Sequence, residues 1–146
     1  MAFKVEQIDH VHVFVADQSE AARWYERVFG LTVHGDPPEP GEGGPLVVSS
    51  DGGSTGLALF RRPDDERPPS VATTVAFRVG GEGFLAFLKR QGGEEGDGQD
   101  GPRLTRGDVV DHDYCFSLYF SDPDGNPYEL TTYDYEQVRA RLGGGD

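Results

Sequence analysis

The chain has 146 residues, 36% of them hydrophobic and 11% aromatic, enough for one domain with a real core or for one domain made of two similar halves. Its mean hydropathy is −0.54, and no apolar run approaches the roughly 20 residues of a membrane span. Asp and Glu number 26 against 13 Lys and Arg, a formal net charge of −13 that repels nucleic acid and anionic membranes and removes both from the expected partners.

Met1 to Val5 has no charged stretch followed by an apolar one, so a cytoplasmic protein is the expectation. Ile8 to Val15 alternates: Val11, Val13 and Val15 point one way, and His10, His12 and Phe14 the other. That pattern predicts a strand with one greasy face and one face free for chemistry. Asp17 or Ser19 can cap a helix over Ser19 to Phe29, with Ala22, Tyr25, Val28 and Phe29 on one side and Gly30 as its C-cap. Leu31 to His34 reads as a second strand, with His34 structural or exposed. Gly35 to Pro45 is a loop by composition. Leu46 to Ser50 and Thr55 to Phe60 read as strands joined by the Asp51-Gly52-Gly53 turn. Arg61 to Ser70 is a charged, proline-rich linker.

The order then repeats. Val71 to Val79 predicts a strand and Gly83 to Gln91 a short helix carrying Phe84, Leu85, Phe87 and Leu88. Gly92 to Asp108 is a glycine- and acid-rich loop with a weak strand around Arg103 to Thr105. Phe116 to Ser121 and Tyr128 to Tyr133 are strands joined by Asp122-Pro123-Asp124-Gly125-Asn126, whose aspartates read as turn formers. The tail, Asp134 to Leu142, suits a terminal helix, and the last residues from Gly143 should fray. Cys115 is the only cysteine and follows no metal pattern, so a buried, inert thiol is expected. Laying Val11–Val15 over Val75–Val79 gives an offset of about 64 residues and aligns two units of the same order. The expected fold class is α+β: two tandem βαβββ modules, about 8–60 and 71–133, whose sheets form a cleft within a single domain over 1–146.

His10 and Glu129 stand out for chemistry. An imidazole and a carboxylate are usual partners for a divalent metal acting as a Lewis acid or activating oxygen. Ligands this far apart need a fold to unite them, and first and last strands can line one cleft. Each has an ordinary reading as well, a satisfied strand histidine and a solvated glutamate.

Ile8-Asp9-His10-Val11, with Val15-Ala16-Asp17 and the run Ala22 to Leu31 (ARWYERVFGL), resembles the opening of vicinal-oxygen-chelate proteins, the glyoxalases, extradiol dioxygenases and bleomycin-resistance proteins. Tyr119 to Asn126 (YFSDPDGN) leading to Glu129-Leu130 resembles their close. The resemblance spans about Ile8 to Tyr133 and implies that His10 and Glu129 are metal ligands, the ion being Fe, Mn, Ni or Zn. It also implies a second histidine from the first strand of module two, where register places Thr74, a poor ligand for such metals. The last strand of module one, Gly56 to Phe60, has no ligating side chain either, so a four-ligand glyoxalase site is not expected. His12 lies about 6.6 Å from His10 along the strand, as an acid or base or an awkward co-ligand. His112, from the loop before the penultimate strand, and Tyr119 match the acid–base groups of ring-cleaving dioxygenases. Phe14, Thr74 and Arg78 are expected to contact substrate, although Arg78 could instead pair with the acidic loops.

Two readings follow. One is a metal-dependent enzyme on a small oxygen-chelating substrate, leaning dioxygenase-like, with a third ligand from His112, His12 or water. The other is a metal-free small-molecule binder of the bleomycin-resistance type, with no cofactor. The resemblance further implies a homodimer.

Overall fold

A computed structural model of the protein describes residues 3, 4, 6–62, 74–92 and 101–143. Most of the expected linker, the start of the strand placed from Val71, the middle of the acid-rich loop and the last three residues lie outside the described residues. The chain divides into two compact units, Met1–Pro68 and Pro69–Asp146.

The first unit runs β1 (His10–Val15), α1 (Gln18–Phe29), β2 (Thr32–His34), β3 (Leu46–Ser49) and β4 (Gly56–Arg61). Its sheet has the order β1-β4-β3-β2, with β1 parallel to β4 and the other pairs antiparallel. The alternation in β1 emerges as read: Val13 and Val15 are buried, while His10, His12 and Phe14 are exposed. Asp17, not Ser19, caps α1, its carboxylate accepting the Glu20 N–H at 2.9 Å. Gly30 ends the helix in the left-handed region at φ 71°. Ala21, Ala22, Trp24, Tyr25 and Val28 of α1 are buried, as are Val48, Leu57 and Leu59 of the sheet.

The second unit runs β5 (Val75–Arg78), α2 (Gly81–Gln91), β6 (Val110–Asp111), β7 (Phe116–Ser121), β8 (Pro127–Thr132) and α3 (Tyr135–Gly143). Its order β5-β8-β7-β6, with β5 parallel to β8, repeats that of the first sheet. Phe84 and Leu88 of α2 pack with Leu104, Phe116, Leu118, Leu130 and Val138. The repeat read from the sequence is therefore a repeat of topology.

Two details differ from the sequence reading. Arg103 to Thr105 is not a strand. Leu104 is buried and its N–H bonds the Gln91 carbonyl at 3.3 Å, so the segment follows the end of α2 into the core. The edge strand is β6, preceded by a single 3-10 turn at Arg106–Asp108. Helix α2 also begins two residues early. The Gly81 N–H donates to the Asp134 carboxylate at 2.7 Å, a cap supplied from 53 residues away. The tail forms α3, anchored by the fully buried Val138 and by Tyr135 stacked on Phe116 at 4.7 Å. No helix of the described residues is long and apolar enough to cross a membrane.

Candidate functional site

In the first unit, parallel pairing sets His10 beside Gly56, His12 beside Ala58 and Phe14 beside Phe60. Small neighbours leave room above the strand for the imidazoles. The rings stack at 5.0 Å with 16° between their planes. Their Nε2 atoms approach to 3.1 Å. His10 Nδ1 meets the Asp9 carboxylate at 2.6 Å. Phe60 lies 4.5 Å from the His12 ring and 5.9 Å from that of Phe14, forming an aromatic floor. His34 stands apart from this pair. Its ring packs over Gly53, where any Cβ would collide with it, so its role there is structural.

In the second unit, Glu129 pairs with Ala76 of β5 and Tyr119 of β7. Its neighbours Tyr128 and Leu130 point into the core, which turns Glu129 to the opposite face. Oε1 accepts hydrogen bonds from the Ser117 hydroxyl at 2.8 Å and the Tyr119 hydroxyl at 3.2 Å. Ser117, buried, and Tyr119, half-exposed, are two residues apart on one face of β7. His112 Nε2 lies 3.0 Å from the Tyr119 oxygen. The tight β6–β7 hairpin puts it there: His112 N–H donates to the Cys115 carbonyl at 3.0 Å, and Asp113 takes φ 72°. Glu129, Tyr119 and His112 thus form one hydrogen-bonded chain.

Desolvation, then the negative charge of Glu129 and the bond to it, push the Tyr119 phenol above its ordinary value. At neutral pH it therefore keeps its hydroxyl hydrogen. Cys115 is buried, in line with an inert thiol.

Arg78 shares the Glu129 face, since it pairs with Thr131. Its guanidinium sits 4.7 Å above the Tyr133 ring, a cation–π stack that sequence reading had not considered. Thr74 precedes β5 and is exposed. The Asp122 carboxylate is consumed by its own turn, accepting the N–H groups of Asp124 and Asn126 and the Asn126 side-chain amide at 2.8–2.9 Å. Sequence reasoning missed Asp9 and Ser117. Adjacency to His10 and the two-residue spacing from Tyr119 were the signals for them.

Within the first unit, the two imidazoles are donors of the kind that suit a borderline divalent cation. Among the described residues, no three His, Cys, Asp or Glu side chains are grouped as a complete metal site.

A family model described as the glyoxalase/bleomycin resistance protein/dioxygenase superfamily matches residues 7–130. The chain belongs to this superfamily. No curated protein matches it. Among solved structures, the oxidase ChaP-H2 superposes with a TM-score of 0.62 at 23% identity, over 88% of this chain and 94% of the other. The oxidase ChaP-H1 gives 0.61 at 24% identity, over 90% and 98%. A protein of Bacillus anthracis assigned to the glyoxalase family gives 0.62 at 22% identity, over 91% and 99%. At these identities the likeness is one of fold. Among the described residues, two four-stranded mixed sheets with three helices give this chain the superfamily's architecture.

Proposed function

We propose that this superfamily member is a metal-dependent enzyme acting on a small substrate with two neighbouring oxygens, nearer to the dioxygenase branch than to the isomerases. The observation that carries the reading is the chain His112–Tyr119–Glu129, with Ser117 as a second brace on the carboxylate. A protein that only sequesters a ligand has no use for a carboxylate held by two hydroxyls with an imidazole behind one of them. The two ChaP neighbours, named as oxidases, agree in direction.

His10 and Glu129 are the proposed ligands. The ion, Fe, Mn, Ni or Zn, would supply Lewis-acid polarisation of the substrate oxygens or activation of dioxygen. Ser117 and Tyr119 both bond Oε1, which fixes the carboxylate rotamer. The Tyr119 hydroxyl turns from Glu129 to give its proton to a substrate oxygen, and a protonated His112, its Nε2 3.0 Å away, restores that proton and is left as the neutral imidazole. Phe14 gives the substrate an aromatic wall, while Thr74 and Arg78 supply polar contacts. Arg78 suits a carboxylate or other oxyanion.

The second reading, a metal-free binder, is favoured by Thr74 and by the ligand-free strand Gly56 to Phe60. Metal analysis of the purified protein beside His10→Ala and Glu129→Ala separates the two. The enzyme reading expects stoichiometric divalent metal after loading, bound more weakly in both variants, and oxygen uptake with catechols. A wild-type protein that takes up no Fe(II), Mn(II), Ni(II) or Zn(II) would overturn it. We also propose a homodimer, which light scattering tests; a monomer refutes it.

A further inference from the structure

Strand rise alone would separate His10 and His12 by about 6.6 Å, yet their Nε2 atoms lie 3.1 Å apart. Two imidazole nitrogens about 2.1 Å from one ion, at tetrahedral or octahedral angles, lie about 3.0–3.4 Å from each other. The two rings already hold that spacing. Asp9 occupies Nδ1 of His10 at 2.6 Å, so the His10 proton resides there and the Nε2 lone pair points at His12. A carboxylate on the far nitrogen of a ligating histidine orients the ring and raises its basicity. Gly56 and Ala58 on the neighbouring strand keep the space beside the pair clear of bulky side chains. The His10 side chain is 45% exposed, which leaves the remaining coordination positions open to water and small ligands. A net charge of −13 draws cations toward the surface.

We infer that His10 and His12 form a two-imidazole chelate for a first-row divalent cation, with Asp9 as its orienting carboxylate. The second nitrogen ligand then comes from the same strand as the first, and the nitrogen that Thr74 cannot supply is His12 Nε2. This deepens the proposed function by naming a ligand, but cation binding by the pair stands apart from turnover.

The test is titration of the full-length protein with Cu(II) and Zn(II), with electron paramagnetic resonance of the Cu(II) form. One ion per chain is expected, with hyperfine structure from two imidazole nitrogens, falling to one in His12→Ala. Affinity should drop at least tenfold in His10→Ala and His12→Ala, and about 10–100-fold in Asp9→Asn. His34→Ala should bind as wild type does, and circular dichroism should show all variants folded. Two-nitrogen binding that persists in Glu129→Gln supports the pair. Wild-type affinity and an unchanged spectrum in His12→Ala overturn it, and the 3.1 Å contact is then an N–H···N hydrogen bond only. That result leaves the proposed enzyme standing with a different ligand set. Two-nitrogen binding without turnover on catechols or hemithioacetals would instead sink the enzyme and leave the chelate.

Discussion

Tyr119 is a hydroxyl with two partners: it donates to Glu129 Oε1 and lies 3.0 Å from His112 Nε2. Tyr119→Phe removes only that hydroxyl from a half-exposed ring, so the fold should hold. On the proposed function, kcat should fall about 10²–10⁴-fold, as for loss of a general acid, with KM little changed; steady-state kinetics on an active substrate would show it. At this scale the sequence disclosed faces but not partners. Alternation alone placed His10, His12 and Phe14 together on the exposed side of a strand. The tips of the two imidazoles meet because Asp9 holds one ring, and such a rotamer leaves no trace in spacing. The bond from Ser117 to Glu129 depends on the register of two strands, which a one-residue slip would abolish.

At the scale of elements, local chemistry was legible and distant chemistry was not. Asp17, Gly30 and the Asp122–Asn126 turn close within a few residues, and each was readable. The start of α2 was hidden because its cap, Asp134, belongs to another element. The two-residue strand β6 is too short to show a period, so the sequence reading set a weak strand around Arg103 to Thr105 instead. Gly30 tests the local logic. At φ 71° with nothing near its missing Cβ, Gly30→Ala should cost about 1–2 kcal/mol from backbone strain alone, measured by urea unfolding. The loop between β3 and β4 gives a pH prediction. Asp51 is held below its ordinary value, chiefly by the Thr55 N–H at 3.0 Å and then by the Ser49 hydroxyl at 2.8 Å. The folded state binds that proton more weakly than the unfolded chain. Its contribution is therefore present above the unfolded value, about 4, and is lost as pH falls through the lower folded value. Denaturant midpoints should drop more steeply on acidification in the wild type than in Asp51→Asn.

At the scale of the molecule, the repeat was the strongest signal in the sequence, because a shared order of elements survives where residue identities do not. Each unit holds its own core, and Phe84 is fully buried in the second. Phe84→Ala should lose about 3–5 kcal/mol in chemical denaturation. The excess of acidic residues repels itself across the surface. Raising salt from about 10 mM to about 1 M shortens the screening length from about 30 to about 3 Å, so the thermal midpoint should climb with ionic strength; calorimetry at the two limits checks this.

Gly56 stands beside His10, and a Cβ there would lie 2.7 Å from the Val48 carbonyl oxygen. That oxygen is backbone and cannot swing aside. On the proposed function, a saturation mutagenesis screen for activity would therefore flag Gly56 as intolerant alongside the histidines, although its role is only to let two strands approach. A screen for soluble expression would tell them apart, since Gly56 should fail in both assays and His10 only in the first.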